Sequence, residues 1–162
     1  MSHSSLAIAN EFLKRAQREG VTLTHMHLQK LLYIAHGWSL ATRNQELVDE
    51  AFKAWDYGPV LPGLWQSLKR YGSDSVTRLI YRGEDTPSLS DDGDVAVAYL
   101  TVQELAIIDQ VWHEFKGYEA FQLSALTHKD NSPWDRAFKR GQNSAIPNND
   151  IQDYFSVLAD AP

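Results

Sequence analysis

Two short stretches hold the side chains best placed to react or to bind. The first is Thr127-His128, followed by Ser132 and Trp134. A hydroxyl and an imidazole at this spacing could make a nucleophile–base pair. That pair works only within hydrogen-bond reach and with a third group orienting the base. The same residues can instead form a local polar network that fixes the turn before Pro133, which is the favoured reading. The second stretch is Trp55-Asp56-Tyr57-Gly58-Pro59. Exposed Trp and Tyr on a loop are typical anchors of a protein interface. They can equally cap a core from outside, and the residue types alone leave both readings open.

Other motifs fail on spacing. His113-Glu114 would need a second His four residues on to place two imidazoles against one zinc ion, and that position is Gly117. His25 and His27 are two apart and do not share a helical face, so they read as capping or surface histidines. Gly58 and Gly63 have the glycine spacing of a phosphate loop, but Leu64 and Trp65 follow where Lys and Ser or Thr are required. The acidic stretch 83–94 resembles a calcium loop around Gly93. The register then puts Ser88 and Tyr99 where acidic ligands belong, so it reads as a solvated loop. Basic and aromatic residues mix at Lys69, Arg70, Tyr71, Arg78, Tyr81 and Arg82, and again at Arg136, Phe138, Lys139 and Arg140. Such mixtures can bind single-stranded nucleic acid. The chain carries 15 basic and 21 acidic side chains, a formal charge of −6, which argues against a phosphate-binding face. The expectation is no metal, no cofactor and no catalytic residue.

These stretches sit in a chain of 162 residues, 43% hydrophobic and 22% charged, which is ordinary globular composition. There are no cysteines, so disulfides and thiolate chemistry are excluded. No apolar run reaches the roughly 18 residues of a membrane span, and no signal peptide is visible, so a cytoplasmic location is expected. The patterning predicts a mainly α fold: a single compact multi-helix domain over 1–162, its core about 5–157, with room for one small β element. Ser4 or Ser5 caps a first helix with Ala9, Phe12, Leu13 and Ala16 on one face and Gly20 as its stop. Thr24 caps a second from His25 to Ala41, rich in Leu, Tyr, Ile and Trp, which reads as the central core helix. Residues 45–57 read as short extended pieces, and Gly58-Pro59 as the start of a third helix with Pro59 at its first position. Residues 95–100 read as a short strand or a helix start. Thr101 and Glu104 form a capping box for the helix carrying Ile108, Val111 and Trp112. A short helix over 118–126, one capped by Ser132 with Pro133 at its first position, and a last one after Pro147 with Asn149 and Gln152 as a cap pair complete the set. Trp38, Trp65 and Trp112 fall on apolar stripes and are expected in the core.

Four blocks, taken in order and spacing, carry a resemblance: LQKLLYIAHGWSLA (28–41), EAFKAWDYGPVLPGLWQSLKRYG (50–72), LTHKDNSPWDRAF (126–138) and IPNNDIQDYF (146–155). Together they are similar to the Panacea domain, the SocA-like antitoxin family of prokaryotes and their phages, over about residues 5–157. The resemblance implies a non-enzymatic antitoxin that neutralises a cognate protein toxin, encoded by an adjacent gene, through direct contact. In some members it implies delivery of the toxin to a cellular protease. An enzyme built on His128 and a nucleic-acid-binding regulator are the competing readings. Under the resemblance the site is an interface. Trp55 and Tyr57 are its apolar anchors, next to Asp56, and Gly58 and Pro59 fix the loop geometry. Thr127, His128, Ser132 and Trp134 form a second block, with His128 as a hydrogen-bonding group. The acidic charge would steer the chain toward a basic partner.

Overall fold

The computed structural model describes residues 2–82 and 94–161. Residues 83–93, on which the calcium-loop spacing falls, lie outside the described residues. The helices are α1 (Ser5–Glu19), α2 (His25–Arg43), α3 (Pro62–Leu68), α4 (Val102–Phe115), α5 (Ala120–Thr127), α6 (Pro133–Arg140) and α7 (Asn148–Asp160). Strands β1 (Lys53–Trp55) and β2 (Gly58–Val60) form an antiparallel hairpin between α2 and α3. The architecture is mainly α with one small sheet, as the patterning predicts.

Helix ends follow local chemistry. Ser4 Oγ accepts from Leu6 N, and Gly20 closes α1 at φ +69°, a left-handed turn that costs glycine nothing. Thr24 and His27 form a capping box on α2, and Thr101 and Glu104 form one on α4. α2 is the axis of the molecule. Leu28, Leu31, Leu32, Tyr33 and Ala35 are buried along it, and α1, α4, α5 and α7 pack around it. α7 comes closest at Gly37, where an added Cβ would overlap the Phe155 ring. Phe155 also meets Tyr33 and Trp38 edge-on, at 5.8 and 5.4 Å between centroids.

Buried polar side chains on α1 and α2 hold the irregular segments. Asn10 Nδ2 donates to the Ile80 and Ala96 carbonyls, and its Oδ1 accepts from Ile80 N. Gln29 Oε1 accepts from Leu61 N at 2.8 Å, and its Nε2 donates to Leu61 O at 3.2 Å. Lys30 Nζ donates to Pro59 O at 2.8 Å. His36 Nδ1 accepts from Leu47 N and Val48 N, which leaves Nε2 to donate to Asn148 Oδ1 at 3.0 Å. Burial holds His36 below the usual imidazole range, consistent with this neutral tautomer.

Several expectations are corrected. Pro59 does not start a helix: it lies in β2, and Pro62 takes the first position of α3. Ala54, opposite Pro59, bonds outward to Ser144 O and Asn143 N, so this pair is a non-hydrogen-bonded one and needs no N–H from proline. Asn149 does not cap α7, which begins at Asn148 after Pro147, and Gln152 turns to Leu40 O and Asn44. Residues 95–100 form neither a strand nor a helix: Val95 makes an isolated bridge to Tyr81, and 96–100 have no regular secondary structure. Trp112 is core, but Trp38 and Trp65 are only half-buried.

Gly37→Ala is expected to destabilise the fold by about 1–3 kcal/mol through overpacking against Phe155. Urea unfolding measures it. Because the two residues touch, Phe155→Leu added to Gly37→Ala should cost less than the sum of the single changes.

Candidate functional site

The hairpin turn Trp55-Asp56-Tyr57-Gly58 is a two-residue connection closed by the Trp55–Gly58 pair. Gly58 has φ +113°, and an added Cβ would meet Lys30 Nζ at 3.1 Å and Thr127 Oγ1 at 3.3 Å, so only glycine fits there easily. Tyr57 at the tip is 69% exposed, and Asp56 beside it is also exposed. The backbone beneath them is held from two helices. Ser124 Oγ on α5 donates to Tyr57 O at 2.6 Å, and Trp134 Nε1 on α6 donates to Trp55 O at 2.7 Å. The 142–144 loop supplies the third brace: Trp55 Nε1 donates to Asn143 Oδ1 at 2.9 Å, and Gln142 Nε2 to Asp56 Oδ1 at 3.1 Å.

Of the second sequence block, Trp134 holds the hairpin by a hydrogen bond of its own. Thr127 is buried, and its Oγ1 donates to the Leu123 carbonyl one turn back. Ser132 is buried, and its Oγ accepts from Asp135 N as the α6 N-cap, with Pro133 next. Asp135 accepts from Asn131 N and pairs with Lys139 at 3.0 Å, and these contacts hold its carboxyl below the usual carboxylate range. Trp134 is buried, stacked on Phe138 at 4.8 Å and met by the His128 ring at 5.2 Å. His128 makes its hydrogen bonds with Ser124, one turn back, while Ser132 Oγ is engaged in the cap. The geometry is that of the turn-fixing network.

Two adjoining cavities share Met26 and Gly72 in their walls, and of the two only the smaller is lined by hairpin residues. The larger, about 690 Å³, is lined by His27, Lys116, Tyr118 and Phe121 among others. Phe121 on α5 is 66% exposed. The smaller, about 170 Å³, lies between Trp55, Tyr57 and Trp65, with His25, Gln29 and Lys30 in its lining. Trp55 and Trp65 meet edge-on at 5.7 Å, and Lys69 Nζ sits 5.4 Å from the Trp65 ring. Desolvation holds the Lys30 ammonium down at about 7 and His25 at about 4.

The chain matches the family described as "Antitoxin SocA-like, Panacea domain" over residues 28–135, a span that runs from α2 through the hairpin to the start of α6. It belongs to that family. The antitoxin SocA of Caulobacter vibrioides (strain NA1000 / CB15N) is 29% identical over 130 residues, covering 80% of this chain and 67% of that protein. No solved structure matches. The Panacea match contains the hairpin with Ser124 and Trp134, and it leaves α1, α7 and the bracing 142–144 loop outside.

Of the residues that brace the turn, the sequence reading names Trp134 but not Ser124, Gln142 or Asn143. It missed Lys30, Met26, Trp65 and Phe121, and it took His25 for a surface or capping residue when it is buried. No local signal singles out Lys30, because α2 also carries Gln29, His36 and Ser39 among its apolar residues.

Lys30 gives a pH test. Its folded pKa, about 7, lies below the ordinary 10.5, so burying the ammonium costs stability fully below pH 7, and the cost fades as pH rises toward 10.5. The unfolding midpoint of Lys30→Met minus that of the parent is expected to be most positive near pH 6 and to shrink by pH 10. A gap independent of pH would refute the assignment.

Proposed function

We propose that this chain is an antitoxin that binds a cognate protein toxin, encoded by an adjacent gene, and neutralises it by direct contact through the hairpin face. Membership of the SocA-like Panacea family supports the antitoxin role. The observation that carries the location is Tyr57: a large aromatic, 69% exposed, on a two-residue turn whose carbonyls are held by Ser124 and Trp134. An aromatic already fixed in place loses little freedom on binding, which is what makes such residues strong anchors. Asp56 beside it and the overall charge of −6 favour a partner of basic surface. Thr127, His128, Ser132 and Trp134 act in this reading by positioning the turn, and Gly58 and Pro59 by shaping it.

Co-expression with the neighbouring gene product, scored for growth and followed by purification of the complex, tests the reading. The neighbour is expected to be toxic alone, silent with this chain, and bound to it. Tyr57→Ala should weaken the complex by about 2 kcal/mol or more, as a hot-spot residue does. Its unfolding midpoint should stay within about 0.5 kcal/mol of the parent, as for an exposed site. The association rate should fall as salt is raised. Rescue of growth with no complex, or full affinity in Tyr57→Ala, would defeat the proposal.

A further inference from the structure

Lys30 is a buried amine with no counter-charge among the described residues. It is 1% exposed, and its one hydrogen bond among the described residues runs to the Pro59 carbonyl. An ammonium has three donors, and buried charges are ordinarily paired. No carboxylate among the described residues pairs with it.

His25 lines the same cavity. Gln29 Oε1 accepts from Leu61 N, which fixes the amide orientation and makes Nε2 the donor to His25 Nε2, at 3.0 Å. The neutral imidazole then carries its proton on Nδ1. The cavity of about 170 Å³ thus has aromatic walls from Trp55, Tyr57 and Trp65, while Lys30 and His25 in its lining bring donors and no anionic acceptor. Its walls include the side chain proposed above as the anchor of the interface.

We infer that this cavity is the receptor for an acidic side chain, Asp or Glu, of the bound protein partner, whose carboxylate takes the open donors of Lys30 and His25 while the three aromatic rings exclude water from the pair. The volume suits one side chain, and a carboxylate supplies the acceptors that the donors lack. The aromatic rim would shield the ion pair in the way that energetically neutral rim contacts shield a hot spot. The inference rests on the protein-binding reading and names the chemistry of one contact within it.

The first arm uses no partner. N-acetyl-glutamate methylamide and N-acetyl-glutamine methylamide are titrated separately into the full chain, and tryptophan fluorescence from Trp55 and Trp65 is followed. The acid should give a saturable change and the amide none. Lys30→Met and Lys30→Gln should each lose the response while remaining folded by circular dichroism. The Gln variant guards against loss of the Pro59 contact in the Met variant. Equal responses to acid and amide, or a parent-like response in both variants, overturns the inference.

The second arm uses the neighbour-encoded protein. One of its Asp or Glu residues, changed to the amide, should cost about 30-fold or more in affinity for the parent chain. The same change should cost nothing further against Lys30→Met. If the neighbour does not bind at all, the antitoxin reading fails, and the first arm still reports on the cavity. Acid-over-amide discrimination without a carboxylate-dependent partner would make the cavity a small-anion site and overturn the assignment to a partner.

Discussion

Residues 47–61 are mostly irregular, and the short hairpin with the backbone bonds to His3 and to 143–146 satisfies only part of their backbone. Buried amides and carbonyls must find partners or cost free energy comparable to a lost hydrogen bond each. α2 meets this demand with side chains. His36 takes the amides of Leu47 and Val48, Gln29 takes both polar groups of Leu61, and Lys30 takes the carbonyl of Pro59. Asn10 on α1 does the same for Ile80 and Ala96. Without these polar residues inside an apolar helix packing, the irregular chain could not be buried, and the hairpin would have nothing to lean on.

The surface follows from that arrangement. β2 is held from below by α2, while α5, α6 and the 142–144 loop grip the backbone of the turn and the Trp55 indole. Tyr57 therefore projects from a rigid support. The same packing leaves the gap between the hairpin, α2 and α3 that the aromatic rings only partly close. The exposed anchor and the cavity are two results of laying a short hairpin over a long helix.

Helix positions were legible because caps and apolar spacing are local. Thr24, Thr101, Ser132 and Pro133 each end or begin a helix as their chemistry dictates. The start of α3 was misplaced because two prolines, Pro59 and Pro62, both fit a helix N-terminus. The choice between them is made by the Trp55–Gly58 pairing, which is a tertiary matter. The T-H-x-x-x-S-P-W stretch carries residue types that suit a turn-fixing network and, under the resemblance, an interface. It is largely buried because its hydrogen bonds are satisfied within the fold. Lys30 and His25 escaped notice for a different reason. A polar residue on a helix is read as solvated, and only the packing of the hairpin over α2 reveals that it is not.

Gly37 and Phe155 also set an order of events during synthesis. The face of α2 that carries Tyr33 and Gly37 is covered by α7, yet about a hundred residues separate the end of one helix from the start of the other. At cellular elongation rates, that interval is about 5 to 20 seconds. For that time the nascent chain holds an uncovered apolar stripe, a site for chaperones or for digestion by proteases. The face of α2 that carries Tyr33 and Gly37 is therefore completed only once α7 has been made.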